Sequence, residues 1–209
     1  DDSALYSYSQ VLKRTKPNED LHQRAINDLI ATARELIQNG EGKTAFRALR
    51  VKLEHESGKQ IDIVEDDTIQ TAAKIEFAEN YDRENHLVKF NPKYVGYEHL
   101  IMHELMHLEF VVDARKEDAN LLFVARGEHK TKFYNQYKDE LKKITSRLDE
   151  TKKNAYISDL FHGLNNQIYN APIDLFIEYN LYQNYPKIRS YQLLSLFQIK
   201  INLNIDSTN

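Results

Sequence analysis

The sequence predicts a mostly helical α+β protein in which a small β-sheet precedes one strongly apolar helix. Apolar residues recur at helical spacing through most of the 209-residue chain. Three segments between residues 60 and 90 instead alternate polar and apolar residues, which is typical of half-buried strands. The next segment, residues 95–113, is strongly apolar between its histidines and acidic residues, which indicates a buried helix.

Two amphipathic helices are predicted before the strands. The first covers residues 18–39, with apolar positions such as Leu21, Leu29 and Ile37, and Gly40 supplies its stop. The second covers residues 43–56 and ends before Gly58. We therefore expect an N-terminal helical lobe over residues 1–58, either separate from residues 59–209 or part of the same domain.

The alternating segments that predict the sheet are residues 60–64, 73–78 and 86–90. Beyond the apolar helix the pattern is helical again, over residues 117–126, 130–148, 152–164, 171–184 and 190–197. Pro172 near the first helical position, with Asn170 as the cap before it, predicts a fresh helix start there.

Composition and charge exclude several classes of function. Hydrophobic residues make up 41% and charged residues 29% of the chain, and no apolar run is long enough to cross a bilayer. The net charge of −4 gives no electrostatic case for nucleic acid. The absence of cysteine excludes disulfides and thiolate ligands. No signal peptide is visible, so we expect a soluble chain, cytoplasmic or secreted, without membrane insertion and with its compartment and oligomeric state open.

Residues 103–107 read His-Glu-Leu-Met-His within the apolar helix. Because His103 and His107 are four residues apart, both project from one helix face and can bind one metal ion. Glu104 is placed to reach a metal-bound water without ligating the metal. The alternative is a pair of core histidines satisfied by hydrogen bonds, and buried polar groups on such a helix favour the metal site. We expect His99, one turn earlier, to be an edge residue or to lie behind the ligands.

A strand or two followed by a helix with H-E-x-x-H resembles the zincin metallopeptidases. The resemblance is confined to the motif helix and its surroundings. It implies a zincin-like fold over residues 59–209 in which His103 and His107 bind Zn²⁺ and Glu104 acts as the general base. It also implies a third protein ligand from further along the chain.

The metzincin branch of this family does not fit. Its longer motif would end at Asp113, but Phe110 stands where the glycine is needed, and no methionine follows Met106 to form the methionine turn. The gluzincin branch takes its third ligand from a later helix. Glu117 lies close after the motif, and Glu128 and His129 lie at a more usual separation.

The strongest candidates for the third ligand are Asp174 and Glu178, at positions i and i+4 of an apolar helix. Two buried carboxylates on one face need a cation or hydrogen-bond donors. The sequence favours Glu178 as the ligand and Asp174 as its hydrogen-bonding helper, with the reverse assignment and a pair of structural ion pairs as alternatives.

We therefore expect a zinc-dependent metallopeptidase, gluzincin-like, that hydrolyses peptide or protein substrates with Glu104 as base. The alternative is a zincin-like fold used as a non-catalytic binding or regulatory module. An extended substrate would add to a strand edge, at residues 86–90 or 73–78. The donor that stabilises the oxyanion stays open among Tyr156, Tyr169, Tyr179 and His162.

Overall fold

The computed structural model describes residues 2–38, 40, 42–119 and 126–206, with the backbone alone for residues 2 and 201–206. Within this part the chain is mostly helical and contains a three-stranded sheet, which confirms the predicted class. It forms two compact units, one from residues 1–118 and 177–209 and one from residues 119–176. In the described residues no helix combines the length and apolar character needed to cross a membrane.

Three helices of the first unit precede the sheet: α1 (Asp2–Arg14), α2 (Asp20–Gln38) and α3 (Gly42–Ser57). The apolar spacing predicted α2 and α3. It did not predict α1, whose serines and tyrosines have modest helix propensity. Packing against α2 supplies the stabilisation that this sequence lacks on its own.

The sheet has the order β1 (Ile61–Glu65), β3 (His86–Phe90), β2 (Ala73–Glu76). β1 runs parallel to β3, with Ile61 opposite His86, and β2 runs antiparallel to β3. The three predicted strands are confirmed. Residues 86–90 form the central strand, so the suggestion that they offer a free edge is wrong, whereas β2 lies at an edge of the described sheet.

The motif helix α4 (Tyr97–Lys116) begins at Gly96, whose φ of 77° lies in the left-handed region. A Cβ at Gly96 would lie 2.6 Å from the backbone oxygen of Tyr191, so only glycine fits this turn. Leu105 and Met106 are buried in the main apolar core. α4 therefore packs against both α3 and the sheet, and this packing fixes its rotation about the helix axis.

The second unit contains α5 (Gly127–Gln136), α6 (Lys138–Ile144), α7 (Glu150–Asn165) and a π-helical turn (Asn166–Asn170), which leads into α8 (Ala171–Asn184). The predicted helix over 130–148 is broken at Tyr137, where φ is −110° and ψ is 24°. The predicted helix over 117–126 falls mostly outside the described residues, and Glu117 and Asp118 form a turn.

The predicted fresh start at Asn170 is wrong. The chain runs without a cap from α7 through the π-helical turn into α8, and Ala171 has helical backbone angles. Pro172 lacks an N–H and its ring crowds the carbonyl of the preceding turn. The wider π-helical turn accommodates that defect, so the helix continues across the proline.

From Ile177 onward α8 belongs to the first unit, as does α9 (Arg189–Asp206), which follows a short 3₁₀ turn. Ile177 and Leu181 are fully buried. The core that holds α8, α9 and α4 in place comprises Leu49, Leu53, Ile61, Val88, Phe90, Ile101, Met102, Leu105, Met106, Leu108, Val112, Ile177, Leu181, Ile188 and Tyr191.

Candidate metal centre

The two motif histidines lie side by side on α4. Their ring centroids are 5.1 Å apart with the planes inclined at 64°. Both side chains, and that of Glu104, are partly buried, whereas Leu105 and Met106 are buried. The core side of α4 is therefore apolar, and the motif's polar side chains share a less buried part of its surface.

Glu178 on α8 lies against the first motif histidine. Its Oε1 is 2.7 Å from His103 Nδ1, and its Oε2 is 2.9 Å from Nε2 of His99. Ile177 and Leu181, which pack into the core beside it, fix the rotation of α8 and so aim Glu178 at α4. One carboxylate thus joins two successive turns of the motif helix.

Two side chains of α9 complete this network. The Gln192 side-chain amide donates to Glu178 Oε2 and to the Glu178 backbone oxygen, the latter at 2.9 Å. The Ser195 hydroxyl lies 2.7 Å from His99 Nδ1. His99 and Ser195 are completely buried. We refer to His99, Glu178, Gln192 and Ser195 as the carboxylate network.

The charges in the carboxylate network follow from burial and hydrogen bonding. Burial raises the pKa of Glu178, but the hydrogen bonds from His103 and His99 outweigh it and hold the pKa well below its usual range. Burial lowers the pKa of His99, although Glu178 opposes this. Because the Glu178 carboxylate accepts, His99 Nε2 donates to it. His99 Nδ1 faces the Ser195 hydroxyl, which also lies 3.2 Å from the Gln192 backbone oxygen.

The same reasoning fixes the tautomer of His103. An ionised carboxylate only accepts hydrogen bonds, so His103 Nδ1 carries the proton that faces Glu178. The lone pair of a neutral His103 then lies on Nε2. In a metal-ligating histidine, one ring nitrogen binds the metal and the other usually donates a hydrogen bond, often to a carboxylate.

The donor chemistry fits a divalent transition metal. Zn²⁺ favours imidazole and carboxylate ligands, and the imidazoles of His103 and His107 lie on one helix face with the carboxylate of Glu178 beside them. Ligand atoms of His99, His103 and Glu178 also lie within 4.8 Å of one another and could hold an ion themselves. An ion there would replace the hydrogen bonds that now satisfy His99 and Glu178, so the His103 and His107 pair is the better position.

The other predicted ligands are divided between the two units. Asp113, in the last turns of α4, is exposed and contacts Lys116 Nζ at 3.0 Å. Glu117 is exposed at the end of α4, and Glu128 and His129 are exposed at the start of α5. Asp174 precedes Glu178 by one turn of α8 and belongs to the second unit, so its role as a ligand stays a prediction.

The candidates for the oxyanion donor are all exposed. Tyr179 belongs to the first unit and is 64% exposed. Tyr156, Tyr169 and His162 belong to the second unit, where His162 packs edge-on against Phe161. The choice among them stays open.

Sequence reasoning missed Gln192 and Ser195, and it placed His99 only loosely. A signal was present, because polar Ser190, Gln192 and Ser195 interrupt an otherwise apolar part of α9. Polar side chains that are buried in a helix need hydrogen-bond partners. The partner could not be named, since the pairing of α9 with α4 depends on contacts some 96 positions apart in sequence.

In comparisons with known proteins, no family model, no curated protein and no solved structure matches this chain. The resemblance to zincins therefore depends on the motif and its local setting alone.

Proposed function

We propose that this protein is a zinc-dependent metallopeptidase of the zincin type, gluzincin-like in taking its third ligand from a later helix. The observation that carries the proposal is the contact between His103 Nδ1 and Glu178 Oε1, 2.7 Å apart, beside a second histidine one turn along α4. A carboxylate that holds the first histidine of H-E-x-x-H in its metal-ligating tautomer is chemistry that a structural histidine pair does not require.

We assign the two carboxylates of α8 different roles. Both oxygens of Glu178 already accept hydrogen bonds, from His103, His99 and Gln192. This supports a positioning role for Glu178 behind the metal, the reverse of the order that the sequence favoured. A catalytic zinc needs a third protein ligand, and Asp174, one turn earlier, is our candidate on the sequence evidence.

Each residue of the proposed centre would have a separate role in the reaction. When bound, zinc supplies a Lewis acid that activates water and polarises a peptide carbonyl. Glu104 accepts the proton of the attacking water and returns it to the nitrogen of the leaving amine as the C–N bond breaks. His103 and His107 hold the metal, and Glu178 keeps His103 oriented.

The substrate class that we propose is an extended peptide. β2 is an edge strand of the described sheet and packs near α4. An extended chain can pair with such an edge through backbone hydrogen bonds, which is how many proteins recognise peptides irrespective of sequence. β3 is excluded for this purpose because both of its sides are paired.

The test is cleavage of a peptide library by the zinc-loaded chain and by its Glu104→Gln variant. We expect the variant to keep its zinc and to lose about 10²–10⁴-fold in rate, as removal of a general base does. Glu109→Gln is the matched control, because Glu109 lies on the same helix and pairs with Lys52. Equal rates for wild type and Glu104→Gln would remove the proposed mechanism. Zinc binding without any cleavage would favour the binding module.

A further inference from the structure

A second candidate site lies in the first unit, where the end of α2 and the start of α3 meet the segment that leads into α4. A cavity of about 420 Å³ opens there. Its charged lining residues are one acid, Glu98, and two bases, Lys43 and Lys93, of which Lys93 pairs with Asp67 at 3.4 Å. Apolar and aromatic lining residues include Ile37, Pro92, Tyr94 and Val95. This volume lies within the range of small-molecule sites, about 300–1,000 Å³.

Glu98 lies in the first turn of α4, where an acidic side chain is favourable, but it is unusual in being buried. Its side chain is 5% exposed and forms an ion pair with Lys43, whose Nζ lies 4.0 Å from Oε1, too far for a hydrogen bond. Burial raises the pKa of Glu98, with its own backbone N–H and Lys43 opposing. A carboxylate that is buried in a cavity wall can pair with a cationic group of a ligand.

Lys43 differs from Glu98 in its freedom to move. Its side chain is 54% exposed, so the ammonium can shift toward or away from the cavity. A simple cation in the cavity would be attracted by Glu98 but repelled by Lys43. A simple anion would meet the opposite conflict. A ligand that carries both charges can pair with Glu98 and with Lys43 at the same time.

We propose that this cavity binds a free α-amino acid with an apolar or aromatic side chain. The ammonium group of the ligand lies against Glu98 and its carboxylate against Lys43, since the two charges of an α-amino acid are separated by a single carbon. The ligand's side chain packs on the apolar and aromatic wall formed by Pro92, Tyr94 and Val95. None of these residues belongs to the proposed metal centre, so this proposal stands or falls separately from the peptidase activity.

The first experiment uses calorimetric titration of the full, metal-free chain with L-leucine and L-phenylalanine. Leucinamide lacks the carboxylate and N-acetyl-leucine lacks the ammonium group. Each loss of a charge-assisted contact should weaken binding about tenfold or more. Binding of either analogue as tightly as leucine, or no binding of the two amino acids at millimolar concentration, would overturn the proposal.

The second experiment repeats the leucine titration with Glu98→Gln and Lys43→Met. Each variant should bind about tenfold more weakly or worse. Glu109→Gln is the matched control, because it also removes a poorly exposed glutamate of α4 that pairs with a lysine, outside the cavity lining. Glu109→Gln should bind as wild type does. If circular dichroism shows that Glu98→Gln is unfolded, Lys43→Met on an exposed side chain decides, and unchanged binding by it refutes the site.

Discussion

At the residue scale, Glu178 determines how the candidate centre is organised. Its side chain is 18% exposed and its two oxygens receive N–H groups from α4 and α9. The carboxylate is therefore satisfied as an anion before any metal arrives. If Glu178 bound the metal directly, it would lose one of these hydrogen bonds. We therefore assign Glu178 to the positioning of His103.

This assignment predicts the order of zinc affinities. Glu178→Gln should weaken zinc binding about 10–100-fold, as loss of a group behind the ligands usually does. Asp174→Ala should weaken it more, because a ligand is removed outright. Competition with a chromophoric chelator measures both. Asp113→Ala, an exposed carboxylate on α4, is the control and should bind zinc as wild type does. A larger loss for Glu178→Gln than for Asp174→Ala would reverse the two roles.

His86 gives a separate prediction for the pH dependence of stability. It is completely buried, and its Nδ1 accepts the backbone N–H of Ala78 at 3.0 Å. Burial lowers its pKa from 6.5, with Glu79 opposing. Between the folded and unfolded pKa values the unfolded chain binds more protons, so the free energy of unfolding should fall as pH drops below about 6.5.

Urea unfolding of the metal-free chain from pH 8 to pH 5 measures this effect. His86→Gln should show a shallower loss of stability across that range, because the titrating group is gone. An NMR titration of the His86 ring in wild type gives the second readout and should yield a pKa below 6.5. Equal pH slopes in the two proteins, or an ordinary His86 pKa, would contradict the account.

At the element scale, local patterns predicted the strands and most helices because each buries one face. Alternation identified all three strands, and the apolar spacing identified α2, α3 and α4. Two features depended on non-local effects. α1 is stabilised by its packing on α2, and the π-helical turn before α8 removes the need for the cap that Asn170 and Pro172 suggested.

Alanine substitutions at two glycines should change the free energy of unfolding in opposite directions. Gly42 lies where α3 closely approaches α9. A Cβ at Gly42 would lie 2.3 Å from the Tyr191 ring, whose hydroxyl donates to the Ile37 backbone oxygen. Gly42→Ala should therefore lower the free energy of unfolding by about 1–3 kcal/mol through overpacking. Gly163 in α7 has open space, and Gly163→Ala should raise it by about 0.5–1 kcal/mol. Urea unfolding of both variants provides the measurement, and a stabilising Gly42→Ala would refute this packing.

At the scale of the whole molecule, the sequence predicted which motif side chains share a helix face but not which residues pack against them. His103, Glu104 and His107 share one helix, so their juxtaposition follows from helical periodicity. The contact between His103 and Glu178 joins residues 75 positions apart and depends on how α8 packs. The proposed peptide edge illustrates the same limit, since only the strand order shows that β3 is interior.

Metal removal should also change the stability of the first unit, which contains His103 and Glu178. A ligand that binds only the folded state stabilises it by about 2.7 kcal/mol at one hundred times its dissociation constant. We expect the zinc-loaded chain to melt at a lower temperature after addition of a chelator. His103→Gln should show no such response. An unchanged melting temperature in wild type would contradict zinc binding at these histidines.

The measurement that tests the central claim most directly is an anomalous difference map, recorded at the zinc edge from crystals of the zinc-loaded chain. We predict one peak that lies about 2.0–2.1 Å from the ligating nitrogens of His103 and His107, with Asp174 in contact and Glu178 on the far side of His103. A map with no peak at the two motif histidines, or with its peak among His99, His103 and Glu178, would contradict the proposed centre.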